Sequence, residues 1–163
     1  MADVFEVPGA PWTPVSRRLS TVRLLTCGGA TVVGLLVLAA AALWLPIPTA
    51  WVTAAAALGV VAAVAAAVLL HRNARSWAYA ERADDIYIRR GVAFLRLEVV
   101  PYGRMQLVDV KAGPLERRLG IADVTLHTAS PDTNARIVGL PFAEAERLRD
   151  RLTALGEAQA AGL

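Results

Sequence analysis

The sequence has few of the residues on which catalysis and metal binding usually depend. Its 163 residues include one cysteine, Cys27, and two histidines, His71 and His127. A single cysteine excludes an internal disulfide and a cysteine-based metal cluster, and two separated histidines are too few ligands for a zinc site. The sequence has no G-x-S-x-G motif and no phosphate-binding glycine loop. We therefore expect no enzymatic activity, no cofactor and no metal.

Charge is missing from two long stretches in the first half of the chain. Leu24 to Leu45 covers 22 residues and Ala50 to Leu70 covers 21, and neither stretch contains a charged residue. As a helix, each is long enough to cross the roughly 30 Å hydrocarbon core of a bilayer. A buried soluble hairpin would need a polar face, and a cleaved signal peptide has a shorter apolar core. The sequence therefore predicts an α-helical transmembrane hairpin over residues 24–70.

Arginines flank this hairpin on both sides, whereas the connecting segment Pro46–Thr49 has none. The positive-inside rule then places both ends of the hairpin in the cytoplasm. Tryptophans lie near the same boundaries, as interfacial aromatic residues do. We predict a multi-pass protein of the cytoplasmic membrane with both termini cytoplasmic. This topology rests on Arg17, Arg18, Arg23, Arg72, Arg75, Trp44, Trp51 and Trp77.

The remaining charge is unevenly distributed. Residues 1–75 carry five arginines against two acidic residues, whereas residues 76–163 carry twelve basic and twelve acidic residues. The positive excess therefore flanks the apolar runs, which favours contact with anionic lipid over nucleic-acid binding. The runs themselves contain no acidic, basic or histidine residue for an ion path or proton relay. We interpret the hairpin as an anchor, and a small transporter or channel subunit as the least favoured alternative.

After residue 75 the apolar pattern changes to the alternation typical of β-strands. A hairpin is predicted with its turn at Arg90-Gly91 and its second strand over Val92–Val99. Pro141 fits the first position of a closing amphipathic helix, and Gly156 fits its end. Other predicted elements are strands over Met105–Val110, Ile121–Ala129 and Ala135–Leu140, a helical turn at Leu115–Leu119 and a turn at Asp132–Asn134.

This pattern predicts a mainly β domain over residues 76–156, in which one helix covers the open end of a bent sheet. Residues 1–23 are then a cytoplasmic N-terminal tail, and residues 157–163 a frayed C-terminal tail.

Two segments of the domain carry a specific combined motif. They read V-P-Y-G-R-M-Q-L-V-D-V from Val100 and G-P-L-E-R-R-L-G-I-A-D-V from Gly113. This pattern resembles the YdbS-like family of bacterial membrane proteins with a pleckstrin-homology-like (PH-like, bPH2 or DUF304) domain. The resemblance implies a seven-stranded bent barrel capped by a C-terminal α-helix and preceded by two transmembrane helices. It also implies no catalytic activity. Strands that the pattern does not reveal would lie at Tyr79–Arg82 or in a split of Val92–Tyr102.

Arginines in the two motif segments are the candidate interaction residues. They are Arg104, Arg117 and Arg118. A guanidinium group suits bidentate contact with an anion, either a lipid headgroup or an acidic residue of a partner. The alternative, which the neutral charge of the domain favours, is that they pair with Asp109, Glu116 or Asp123 and fix the loops.

Taken together, these observations predict a non-enzymatic, membrane-anchored PH-like protein that acts as an interaction or assembly module at the inner face of the bacterial cell membrane. Its partners would be the lipid bilayer and a second copy or a related PH-like membrane protein, with no nucleic acid. The alternative is a membrane protein that senses lipid headgroups through its juxtamembrane arginines.

Overall fold

A computed structural model of the chain describes residues 10–129 and 134–161. The chain divides into two compact units. One unit is Ser20–Arg72, and the other combines Met1–Leu19 with Asn73–Leu163. We call the second the domain. It is therefore built from chain on both sides of the apolar hairpin.

Two long apolar helices, α1 (Arg18–Trp44) and α2 (Thr49–Arg75), account for the unit Ser20–Arg72. Both are long and apolar enough to cross a membrane, and their most apolar windows are not buried inside the protein. The Cys27 Sγ lies 3.9 Å from the carbonyl oxygen of Ala63, which marks a point of contact between the two helices. The predicted helical hairpin is confirmed.

The described part of the domain contains seven strands in two antiparallel sheets. The first sheet has the order β1 (Thr13–Pro14), β2 (Ala78–Glu81), β3 (Asp85–Arg90) and β4 (Arg96–Pro101). The second has the order β5 (Met105–Lys111), β6 (Ile121–Thr128) and β7 (Ala135–Pro141). A 3-10 turn (Tyr102–Arg104) connects β4 to β5, helix α3 (Pro114–Arg118) connects β5 to β6, and α4 (Phe142–Ala161) closes the chain. This is the predicted PH-like architecture.

Helix α4 buries one face against the second sheet and the 3-10 turn. Ala145, Leu148 and Leu152 recur at three- and four-residue spacing and are all 1% exposed or less. Burying a leucine of this kind contributes about 2 kcal/mol. The strands supply the rest of the core, chiefly Ile86, Ile88, Ile121, Val124, Leu126, Ile137 and Leu140.

The segment before α1, predicted as a tail, packs into the domain from residue 13 onward. Strand β1 pairs with β2 so that Thr13 lies opposite Tyr79. The backbone N–H of Ser16 donates to the carbonyl oxygen of Gly139 at 3.0 Å. Leu19 is 4% exposed, so the first turn of α1 is part of the domain core. Both sides of the hairpin are therefore tied to the same β domain.

Two strand predictions are corrected or completed by the structure. The second strand of the predicted hairpin starts at Arg96, not at Val92, because residues 91–95 form the connecting turn. Gly91 has a φ of +115°, a backbone conformation that side-chain-bearing residues rarely adopt. The strand that the alternation does not reveal is β2, at the first of the two predicted positions. Its Ala78, Tyr79 and Ala80 are all buried, so no polar residue alternates with them.

The bounds of α4 also differ from the prediction. Pro141 is the last residue of β7, and the helix begins at Phe142. At the other end, the helix continues through Gly156 to Ala161, so the prediction that Gly156 ends it is wrong. Alanine, glutamate and glutamine follow Gly156 and favour the helix more than one glycine disfavours it. Most of the predicted turn at 132–134 lies outside the described residues.

Candidate functional site

The three candidate arginines do not form one cluster. Arg104 ends the 3-10 turn before β5, whereas Arg117 and Arg118 lie in α3, after β5. At about 3.3 Å per residue, the seven-residue strand separates them by about 20 Å. All three residues are exposed, and within the described residues none of their side chains forms an ion pair. A single anion therefore cannot contact Arg104 and Arg117 together.

The predicted pairing of these arginines with nearby carboxylates is not what the structure shows. The Asp109 carboxylate pairs with Lys111 at 2.7 Å, and this hydrogen bond lowers the pKa of Asp109. The Glu116 carboxylate accepts the backbone N–H of Gly113 at 2.5 Å and so caps the first turn of α3. Both carboxylates are therefore engaged elsewhere, and the arginines keep their donors for other groups.

Asp123, the third predicted partner, lies at an irregularity of the β6–β7 ladder. The register shifts between Ala122 and Val124, which leaves a gap in the backbone pairing. The Asp123 carboxylate fills it by accepting the backbone N–H of Gly139 at 2.7 Å and the guanidinium of Arg136 at 2.5 Å. With 3% of the residue exposed, Asp123 is a structural carboxylate.

Helix α3, which carries Arg117 and Arg118, lies close to the start of α1. The Arg18 Nη1 donates to the carbonyl oxygen of Leu119 at 2.9 Å, directly after α3. The uncharged run begins six residues after Arg18, at Leu24. Even a fully extended chain therefore places Arg18 and Leu24 at most about 22 Å apart. Arg117 and Arg118 therefore lie in the helix whose end contacts Arg18, at the opposite end of β5 from Arg104.

A groove of about 270 Å³ lies between β5 and α4. Met105, Leu107 and Val108 line it from the strand, and Leu152 and Gly156 line it from the helix. Strand β5 is at the edge of its sheet, so one side of its backbone has no strand partner among the described residues. Such an edge presents free N–H and C=O groups to which a further strand can add.

The groove combines this free edge with exposed apolar surface. Leu107 is 59% exposed, although it lies in a strand. The β5–β6 register shifts between Met105 and Leu107, and such a bulge redirects side chains at a sheet edge. On the helix side, Gly156 has no side chain to fill the space. A Cβ there would lie 3.8 Å from the Tyr102 carbonyl oxygen, so the fold does not require this glycine.

Sequence reasoning missed this groove. Alternation identifies β5 but does not reveal which of its edges is free, because that depends on whether β4 pairs with it. The sequence contains two signals for it. The interruption Pro101-Tyr102-Gly103 separates the two sheets. The four-residue spacing of Leu152 and Gly156 places both residues on one face of α4.

A polar cluster near the start of α4 could be mistaken for a catalytic site. The Tyr79 hydroxyl donates to Glu144, and Arg147 donates to Glu144 at 2.6 Å and to Glu81 at 2.5 Å. The pKa of Tyr79 is raised mainly by burial and secondly by the hydrogen bond to Glu144. The hydrogen bond from Arg147 lowers the pKa of Glu144. The pKa of Arg147 is raised by Glu144 and Glu81.

Tyr79, Glu144 and Arg147 therefore keep their ordinary charge states near neutral pH, and the hydrogen bonds of the cluster connect α4 to β2. No group of three or more His, Cys, Asp or Glu residues able to hold a metal occurs in residues 10–129 and 134–161.

The predicted interfacial tryptophans fall into two groups. Trp44 and Trp51 are 88% and 72% exposed, and their interfacial role stays a prediction. Trp77 is only 6% exposed, and its place at the membrane interface also stays a prediction. It directly precedes β2 and packs into the domain, with the guanidinium of Arg90 5.3 Å from its ring centroid.

Comparison with known proteins agrees with this architecture. The family described as Bacterial PH domain matches residues 21–155 of the chain. The UPF0699 transmembrane protein YdbS of Bacillus subtilis (strain 168) is 35% identical over 79 residues, which are 48% of this chain and 48% of that protein. The chain thus spans about half the length of the curated relative that it matches. No solved structure matches the chain.

Proposed function

The chain belongs to the bacterial PH domain family of transmembrane proteins, and on that premise we propose that it is a non-enzymatic, membrane-anchored interaction module. It would assemble with another membrane protein by adding that protein's extended segment to the free edge of β5. The observation that carries this proposal is the groove between β5 and α4, which combines unpaired backbone with an exposed apolar side chain.

The dimensions of the groove favour an extended peptide. Strand β5 has 7 residues, enough to pair with a segment of four to six residues over roughly 15–20 Å. Backbone hydrogen bonds would supply affinity, and the alternate side chains of the added strand would enter the space bounded by Leu107 and Leu152.

The partner we propose is a second copy of this chain or a related PH-like membrane protein. Two proteins confined to one membrane meet at a high effective concentration, so a small interface of this kind is sufficient for assembly. We also propose that the interface lies at the inner face of the bacterial cell membrane, with both termini cytoplasmic. Arg17, Arg18 and Arg23 precede or begin the first apolar run, and Arg72 and Arg75 follow the second.

A site-specific crosslink tests this proposal. A photoreactive amino acid replaces Leu107 in the full-length protein, which is then irradiated in intact cell membranes. The matched position is Ala143, an exposed residue on the opposite face of α4 from Leu152. We expect a protein adduct, either a dimer or a heteromer with a PH-like protein, from position 107 and not from 143. The same adducts from both positions, or none from 107, would reject the groove as the interface.

A second candidate function, sensing of anionic lipid headgroups, is favoured by one observation. The bond from Arg18 to the Leu119 carbonyl oxygen holds α3, with Arg117 and Arg118, near the start of the first apolar run. Four arginines at that place, counting Arg17, suit lipid phosphates, each contributing about 1 kcal/mol near an anionic surface.

The lipid hypothesis predicts that anionic lipid stabilises the protein through these arginines. The full chain in nanodiscs of neutral or anionic lipid would show a higher Tm in the anionic ones. Replacing Arg117 and Arg118 by glutamine should remove that gain. The control replaces Arg104 and Arg149, which changes the charge equally at positions outside α3. An equal gain in both double variants, or no gain in the wild type, would argue against headgroup sensing.

A further inference from the structure

The turn between β3 and β4 exposes large apolar side chains. It comprises residues 91–95, and its sequence is G-V-A-F-L. Phe94 is 90% exposed and Leu95 is 52% exposed. Nothing in the described part of the domain covers Phe94. Adjacent exposed apolar side chains of this kind are a candidate contact surface for a membrane or a partner.

The turn is a defined structure rather than a loose connection. At Gly91, φ is +115°, and a Cβ placed there would lie 1.9 Å from the carbonyl oxygen of Phe94. The chain therefore folds back so tightly that only glycine fits at its first position. This geometry brings the backbones of Gly91 and Phe94 together, and the side chains of Phe94 and Leu95 face the outside.

Hydrogen bonds attach this turn to the end of α2. The backbone N–H of Gly91 donates to the Ser76 Oγ at 3.0 Å, and the Ser76 hydroxyl donates to the carbonyl oxygen of Asn73 at 2.8 Å. Asn73 is three residues beyond Leu70, the last residue of the second uncharged run. Even a fully extended chain covers at most about 11 Å in three residues, so Asn73, to which Ser76 connects the turn, can lie at most about 11 Å from Leu70.

The charges at the base of the turn complement an anionic surface. Arg90 and Arg96 lie directly opposite each other across the β3–β4 ladder, an arrangement that like charges disfavour. Arg90 is balanced by Glu98 at 2.5 Å. Arg96 is exposed and forms no ion pair within the described residues. An anion beside Arg96 would relieve the repulsion.

We propose that the turn of residues 91–95 inserts into the bilayer surface from which α2 emerges. Phe94 and Leu95 would enter the boundary between headgroups and acyl chains, and Arg96 would contact a lipid phosphate. Aromatic and aliphatic side chains flanked by arginine have this distribution at membrane interfaces. The turn is thus a third membrane contact that fixes the domain against the bilayer. This inference is independent of the groove and of any protein partner.

Lipid-attached quenchers test the insertion directly. The full-length protein, with Cys27 replaced by alanine, carries one fluorophore on a new cysteine at Phe94→Cys and is reconstituted in vesicles of phosphatidylcholine and phosphatidylglycerol. A nitroxide on the upper acyl chain of the lipid quenches only fluorophores that reach the interface. The control is Leu107→Cys, whose side chain is also exposed but belongs to the other sheet.

We expect quenching at position 94 to exceed that at position 107 several-fold. Leu95→Cys supplies a second reporter in the same turn, with the same expectation. Adding Arg96→Gln to the Phe94→Cys protein should at least halve the quenching. Equal quenching at positions 94, 95 and 107 would overturn the insertion, and quenching that Arg96→Gln leaves unchanged would overturn the assigned contact of Arg96 with phosphate.

Discussion

Gly139 provides a sensitive test of whether the segment before α1 belongs to the domain. Its φ is +68°, and a Cβ placed there would lie 2.7 Å from the Cβ of Leu19. We predict that Gly139→Ala destabilises the domain by about 2–5 kcal/mol. About 1–2 kcal/mol of this comes from the left-handed backbone, and about 1–3 kcal/mol comes from overpacking against Leu19.

The loss should be visible in thermal unfolding. For a domain of this size, 1 kcal/mol lowers Tm by about 4–8 °C, so the expected fall is at least about 8 °C. Tryptophan fluorescence of the detergent-solubilised chain provides the signal. Trp12 and Trp77 report on the domain, and Trp44 and Trp51 are replaced by phenylalanine to remove the hairpin from the signal.

The same substitution at Gly156 is the matched control, with the opposite expected sign. Gly156 lies inside α4, where a Cβ would meet only the Tyr102 carbonyl oxygen at an ordinary 3.8 Å. Alanine there should raise stability by about 0.5–1 kcal/mol, because glycine disfavours a helix interior. If Gly139→Ala leaves Tm unchanged, then Leu19 does not pack over Gly139 and the tie between segment and domain is refuted.

Four further substitutions test single contacts in the domain. Asp123→Ala leaves the Gly139 N–H without its acceptor and should lower the free energy of unfolding by about 2 kcal/mol, measured by thermal unfolding. Arg136→Ala should have a smaller effect, because that side chain is 58% exposed. Equal losses in the two variants would contradict the structural role assigned to Asp123. The lowered pKa of Glu144 stabilises the fold above its ordinary value near 4.5, and this stabilisation is lost as pH falls through the lower pKa of the folded state. Glu144→Gln should therefore flatten Tm between about pH 5 and 3, and an acid profile as steep as the parent's would speak against that role. Burial raises the pKa of Tyr102 from 10.0 to about 12, so its contribution is present below pH 10 and lost as pH rises towards 12. Tyr102→Phe should reduce the fall in Tm over that range, and an unchanged alkaline slope would show that another group causes it.

The helical parts of this protein could be predicted from sequence because their signals are long. Two uncharged runs of more than 20 residues can satisfy their backbone in a bilayer only as helices. The face of Ala145, Leu148 and Leu152 similarly identifies α4 from its period alone. Hydrophobic patterning was therefore sufficient wherever one environment, lipid or core, acted on many consecutive residues.

Short elements were harder to predict because their environment is set by distant parts of the chain. Strand β1 has two residues, one of them Pro14, and exists only because β2 lies beside it. Phe94 and Leu95 were assigned to a strand because apolar residues in alternation usually point into a core. Nothing local distinguishes that case from an exposed turn.

The candidate site illustrates the same limit. The motif arginines were identifiable, but their separation by the length of β5 follows from topology, as does the proximity of α3 to Arg18. The groove between β5 and α4 brings Leu107 near Gly156, residues whose relation no sequence period encodes. A local pattern can identify reactive or exposed residue types, whereas their grouping into surfaces depends on the pairing of the strands.

The central claim, that the free edge of β5 is the assembly interface, is tested most directly by the mass of the membrane-extracted particle. Native mass spectrometry of the full-length protein in nanodiscs would compare the parent with Leu107→Lys and with the matched variant Ala143→Lys. A charge at the centre of an edge strand blocks addition of another strand, at little cost to a side chain that is 59% exposed. We predict a dimer, or a complex with a PH-like partner, for the parent and Ala143→Lys, and a monomer for Leu107→Lys. A monomeric parent, or an assembly that Leu107→Lys leaves intact, would contradict the account.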